Sequence, residues 1–447
     1  ESYFGADNKP CIDNEGYAKF TNKLDNHRNI IERKYFDIYG RPCLCKEGYA
    51  RYTANHNKRG NIIQQKFYGI DGKLCLCKEG YAKAMVRYDE HQNAIENIYF
   101  DVNGSLTCVN GYARFTSKYD DQGNKVEEEY FDNNGKSCII KDYGYARLIS
   151  KYNRQGHKIK EENWGINAKL CINKSGYAKS VIKYDDYDNI IEQAYFGLDG
   201  KPCIQNEGYA KYTNKFNERN EIIETRYYGL DGKLCMSNSN YSIYKAKYNA
   251  SGKKIEASFY DIYGKPCIIS GGYAKYTYKY DLFGNIIETR YYNINGKPCQ
   301  GDEKWAICKT KYDAFRNKTE QAYYGIDSKP CLTNGGYAKY KQKYDQHGNI
   351  IEEKNYGING KLCMNNYNCA IYKAKYNASG KLVQASFYGT DGKPCLTDFA
   401  NGGAKKTFKY DISGNLIETR YYGIDGKPRT NNDGYSVQKS KYDKRGN

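Results

Sequence analysis

GYAKYTYKYDLFGNIIETRYYNINGKPC, residues 272–299, is a phrase that the chain repeats along its whole length. Its landmark aromatic recurs at Tyr17, Tyr49, Tyr81, Tyr112, Tyr145, Tyr177, Tyr209, Tyr241, Tyr273, Trp305, Tyr337 and Tyr435, with Cys369 and Gly403 standing in for it in two units. The spacing gives about 14 units of about 32 residues, so the 447 residues read as one tandem array rather than as separate domains. The string IYKAKYNASGK at 243–253 returns four units later at 371–381, a block duplication of the kind tolerated where each unit need only stack on its neighbours.

Each unit carries three turns with a chemical reason. In Asp281-Leu282-Phe283-Gly284 an aspartate can accept bonds from the backbone ahead of it, and a glycine supplies the left-handed residue that closes the turn. Asn293-Ile294-Asn295-Gly296 repeats the form, and a third turn leads into Gly-Tyr-Ala. Between the turns lie segments of period two. The stretch 273–280 puts Tyr, Lys, Thr and Lys on one face and Ala, Tyr, Tyr and Tyr on the other, which makes the second face the core candidate. In the following strand one position is held by Ile31, Ile63, Ile95, Ile191, Ile223, Ile255, Ile287, Ile351 and Ile417 and is expected to be a buried core ladder. The glutamate after it, as at Glu288, is expected to point the other way and pair with strand lysines such as Lys279. Two strands of about eight residues and a short edge strand at Lys-Pro-Cys are expected per unit, the proline needing no ladder donor there.

The fold class is therefore all-β: an elongated tandem-repeat array, either a β-solenoid with one coil per unit or a stacked β-hairpin ribbon, continuous over residues 1–447. At about 4.8 Å per strand these alternatives give rods of roughly 70 Å and roughly 135 Å. With 51 Tyr, 44 Gly and a mean hydropathy of −0.91, the chain combines a polar surface with aromatic strands and implies a thin core. The phrase is cut within a unit at Glu1 and at Asn447, which reads as part of a longer polypeptide whose targeting signals lie elsewhere.

The phrase YDxxGN, at Tyr280 to Asn285, Tyr344 to Asn349 and Tyr410 to Asn415, resembles the YD repeats of bacterial RHS and teneurin-type proteins. That resemblance implies large secreted or surface β assemblies, some of them hollow shells around a toxin. The long regular period and the recurrent Lys-Pro-Cys depart from that pattern.

Thirteen cysteines form a second ladder: Cys11, Cys43, Cys75, Cys108, Cys138, Cys171, Cys203, Cys235, Cys267, Cys299, Cys331, Cys363 and Cys395. They are expected to be mostly free thiols packed as small apolar groups, with disulfides between units or chains as the alternative. A single row converges poorly on an ion, so no metal is assigned, and no cofactor motif or nucleophile constellation is present. The five histidines fall at variable turn or strand-end positions, and the glutamates recur identically in every unit, which fits a salt-bridged surface better than catalysis. The formal net charge of +18 is spread over the units without a dense basic run, which argues against specific nucleic-acid recognition, and no apolar run is long enough to span a membrane.

The leading expectation is a non-catalytic extracellular or cell-surface rod or filament that associates with neighbouring copies. The alternatives are an adhesin that binds polysaccharide or an anionic surface through Tyr-rich faces, and an RHS-like shell wall.

Overall fold

The computed structural model describes residues 1–443. Twenty-eight strands, from β1 (Ser2–Phe4) to β28 (Val437–Lys439), form one antiparallel sheet in which each strand pairs with its neighbours in sequence. In the unit quoted above, β18 (Lys275–Tyr280) and β19 (Ile286–Tyr292) make a hairpin with Lys275 opposite Tyr292, Tyr276 opposite Tyr291 and Lys279 opposite Glu288. Hairpin pairing covers six residue pairs, whereas β19 meets β20 (Ile307–Tyr312) over only three. The Lys-Pro-Cys segment contributes a single bridge, Tyr292 to Pro298, rather than a third strand.

The array is a hairpin meander, and it closes. β1 pairs with β2 (Lys19–Leu24) on one side and with β28 on the other, where Ser2 faces Lys439, Tyr3 faces Gln438 and Phe4 faces Val437. The fourteenth hairpin is thus assembled from the two ends of the chain. The backbone N–H groups of Ser436 and Asn14 seal the joint by donating to Phe4 O at 2.9 Å and Asp433 O at 2.8 Å. The expected open rod is corrected to a closed barrel: the perimeter of roughly 135 Å is rolled into a ring about 43 Å or more across between opposite backbones. Its accessible surface is 24809 Å², against about 17,000 Å² for a compact monomer of 51.5 kDa. Such an excess belongs to an extended sheet wall rather than to a filled compact body.

The core is correspondingly thin. Its tightest row is the alanine after the landmark aromatic, including Ala82, Ala113, Ala146, Ala178, Ala306 and Ala370, all at 0 % exposure, with Ser242 and Ser436 in the same place. Each such residue donates its N–H to the last residue of the long strand, as Ala274 does to Tyr292 at 2.8 Å.

The isoleucine ladder lies elsewhere. Ile31, Ile95, Ile191, Ile223, Ile255, Ile287, Ile351 and Ile417 are half-buried, and Ile63 is exposed. A bulge explains the difference. Register slips between Lys279 and Tyr280, so Ile287 has no partner across the hairpin, and the corresponding Ile31 lines the same recess as Glu32 and Lys23. The alternation that would separate isoleucine from glutamate is broken at that step.

Closure can be tested at the seam. Directly opposed antiparallel residues have Cα atoms about 4.5–5.5 Å apart, within the range a disulfide accepts. Mild oxidation of a Ser2→Cys/Lys439→Cys variant should give an intramolecular link between positions 2 and 439 by peptide mass mapping. An open array would hold those ends too far apart to join.

Candidate functional site

One face of the sheet carries a girdle of aromatic rings. It is built from the landmark residue of each unit and the penultimate residue of each long strand, so the rings alternate along the perimeter. Tyr273 stacks on Tyr291 at 4.4 Å between centroids, Tyr291 on Trp305 at 4.6 Å, and Trp305 meets Tyr323 at 5.8 Å. The girdle crosses the seam through Tyr435 and Tyr3 at 4.6 Å. As period two requires, Tyr276 and Tyr278 share this face; Tyr273, expected on the other face, precedes the strand and is brought to this one, 6.0 Å from Tyr276. Loops fold over the rings: Cys77 and Val109 pack with Phe67 and Tyr81 in one buried cluster. Burial raises the girdle hydroxyls above their ordinary range, Tyr17 being pushed up to about 12.

The fixed residues of the YDxxGN phrase have structural tasks. Asp281 Oδ1 accepts the N–H groups of Phe283 and Asn285, both at 2.9 Å, while its Oδ2 accepts the Asn285 amide at 2.9 Å. Gly284 sits at φ +81, a conformation that other units reach with Arg28, Gln92 or Arg316. Tyr280 reaches into the preceding unit and donates its hydroxyl to Lys254 O at 2.7 Å, a latch repeated by Tyr88, Tyr184, Tyr312 and Tyr376. The phrase is a turn plus an inter-unit tie.

The cysteine ladder makes the second tie. Cys299 Sγ donates to Gly272 O at 3.6 Å, Cys203 to Gly176 O at 3.6 Å and Cys138 to Gly111 O at 3.4 Å, each joining the loop after a hairpin to the loop before it. In the last unit Arg429 occupies the ladder position and its Nε donates to Gly402 O at 2.9 Å. All 17 cysteines are free thiols; twelve of the ladder thiols are half-buried and Cys108 is exposed, whereas Cys45, Cys77, Cys308 and Cys369, off the ladder, are fully buried. Burial pushes the Cys43 and Cys267 thiols up to about 11, which suppresses the reactive thiolate.

The opposite face is a ladder of ion pairs. Glu288 lies 3.1 Å from Lys279 Nζ and 2.7 Å from Arg290 Nε, and its carboxyl is held below the usual range chiefly by the Arg290 hydrogen bond. Glu224 is held likewise by Lys215, Arg226 and Lys245. Strand-end cations cover the outer rings on this face, as Arg51 does Tyr68 at 4.0 Å. Of the histidines, His157 Nδ1 lies 3.2 Å from Asp188 and its ring stacks on Tyr184, so it belongs to the packing of a turn. Among the described residues no cluster of three or more His, Cys, Asp or Glu is placed to hold a metal ion, and no helix is long and apolar enough to cross a membrane.

No protein-family model matches the sequence, and no curated protein is similar to it. Solved structures to which the chain is similar come from Tc toxins. The crystal structure of TcdB2-TccC3-TEV matches at 12% identity and a TM-score of 0.28, over 95% of this chain and 24% of that one. TcdB2-TccC3 without its hypervariable C-terminal region matches at 11% identity and TM-score 0.23, over 95% and 24%. The Photorhabdus luminescens Tc holotoxin pore matches at 12% and 0.17, over 91% and 26%. The chain spans about a quarter of the length of these proteins, and scores this low carry no structural inference.

Girdle and surface should separate on mutation. Tyr291→Ala removes a ring packed on both sides and should cost about 3–5 kcal/mol, felt in its own and the adjacent units. Lys279→Ala opens an exposed ion pair worth about 0–1 kcal/mol. Hydrogen exchange resolved by unit would read both, and equal losses would place the packing energy on the wrong face.

The turn aspartates set an acid response. Asp281, Asp313, Asp345 and Asp411 have folded pKa values below the ordinary carboxylate range, chiefly through the partner asparagine except at Asp313, where burial opposes the same bonds as the largest influence. A lowered folded pKa gives stability that is complete above the unfolded value of about 3.9 and is lost as pH falls through the folded one. Melting temperature should therefore drop on acidification below about pH 4. Units with Asn249 or Asn377 make the same backbone bonds without titrating. Asp→Asn at these four aspartates and at the like turn residues Asp25, Asp89, Asp120 and Asp185 should flatten the slope; an unchanged slope would exclude these turns as its source.

Proposed function

We propose that the chain is a non-catalytic wall: a closed β ring that bounds a protected space, as in a shell. The observation that carries this reading is the pairing of β1 with β28 together with the large accessible surface of the chain. A chain whose task was to fill its own core would not keep about 1.4 times the surface expected for its mass. Closure also weighs against a filament grown by adding strands, because the ring has no unpaired sheet edge to extend.

Contacts with neighbouring copies or segments would run rim to rim. In many units the turn after the long strand presents an aliphatic side chain to solvent, as at Ile70, Ile166, Leu198, Ile326, Ile358 and Ile424, flanked by a lysine and, in four of these six, an aspartate. The polysaccharide-adhesin alternative has less to rest on, since the girdle tyrosines are buried or half-buried beneath loops rather than displayed as a platform. An extracellular setting belongs to the same proposal and is compatible with free cysteines whose thiols are held protonated by burial.

Negative-stain class averages of this chain should show annular end views with a stain-filled centre. Solid particles, or filaments lengthening with concentration, would overturn the wall reading.

A further inference from the structure

The girdle has one wide gap. Asn355 stands where most long strands carry Tyr or Phe; Cys369 replaces the next landmark aromatic, and Gly403 the one after. On the same face Lys406 occupies the strand position held by Phe20, Tyr52, Tyr212, Tyr276 and Tyr340 in other units. At the other interruption, Asn163 is wholly buried and gives its amide to Tyr177 O and Ala178 O, and the rings of Tyr145 and Tyr177 remain. Around Asn355 several neighbouring rings are lost together, and what remains is a cavity of ≈ 360 Å³.

The walls of the cavity are apolar and aromatic: Tyr372, Leu382, Phe387, Phe399 and Phe408. Phe399, carried by a short 3₁₀ turn at Asp398–Ala400, leans toward the gap without filling it; its ring lies 6.4 Å from Phe387 and stays half exposed. Lys406 lines the same cavity. It is half-buried, forms no ion pair among the described residues, and lies 5.2 Å over the Tyr421 ring. Burial lowers the pKa of the amine, Asp433 opposes that shift, and a ligand anion would oppose it further. Glu353, also on the wall, already accepts the Gln342 amide at 2.7 Å.

We propose that this cavity binds a small monocyclic aromatic carboxylate, its ring replacing the missing girdle rings and its carboxylate pairing with Lys406. Volume, aromatic walls and one convergent cation are what such a ligand requires. The site does not depend on the wall reading.

The test is titration of the full chain with 4-hydroxyphenylacetate and, separately, with neutral p-cresol, by calorimetry and saturation-transfer NMR. One saturable site for 4-hydroxyphenylacetate is expected. Lys406→Met should weaken the carboxylate at least ten-fold while leaving p-cresol unchanged. Cys369→Tyr restores the ring most other units carry, so it should fold normally and abolish binding of both. Absence of saturable binding to the wild type, or undiminished binding to Cys369→Tyr, would overturn the site. Equal weakening of both compounds by Lys406→Met would overturn the ion pair.

Discussion

Neighbouring hairpins share only three residue pairs where the two strands of one hairpin share six, and the remaining architecture reinforces that narrow joint. Two devices cross it. The girdle lays rings of one unit against those of the next, and the YD tyrosine donates to a carbonyl of the preceding unit. Loops add a third, as where Lys46 N donates to Glu15 O at 2.7 Å, while the ladder thiol ties together the loops that flank one hairpin. None is strong alone, since a typical hydrogen bond nets about 0.5–1.5 kcal/mol, but each recurs around the ring. Stability in such a chain is close to a sum over joints, and closure adds one more joint at the seam.

The turn chemistry, the strand faces around Tyr276 and the pairing of Lys279 with Glu288 were legible because local rules dictate them: an Asp ahead of a left-handed residue, alternation, and opposite charges across a hairpin. Two features were not legible. Curvature depends on small twists summed over 28 strands, and no single unit records whether the sum returns to its start. The bulge at Tyr280 depends on one extra residue in the long strand, and it moved the isoleucines from the expected core to the lysine and glutamate face. The alanine row was visible as a recurring letter, but a small side chain marks a close approach only once the approaching backbone is known.

The cysteines show why a repeated residue need not imply covalent chemistry. Successive ladder positions are separated by a full hairpin, roughly 10 Å along the sheet, beyond disulfide reach. What the position needs is a compact donor facing the neighbouring loop, and a half-buried thiol supplies it at little desolvation cost. Arg429 fills that role in the last unit with a longer, charged group, which isolates hydrogen donation as the shared property.

Repetition on this scale also permits local departures. When one girdle ring is lost, as at Asn163, an amide can turn back to main-chain carbonyls and the neighbouring rings hold the row together. When several adjacent positions change at once, as around Asn355, no single side chain bridges the space. Asn355 still bonds to a carbonyl, that of Cys369 at 3.4 Å, but the ring volume is not replaced. Lys406 compounds the departure, since desolvating an amine is a cost that packing alone would have removed by choosing the tyrosine used elsewhere. A wall that carries the same devices in every other unit has the redundancy to hold one such site, and that redundancy is why a specific cavity can arise in an otherwise uniform ring.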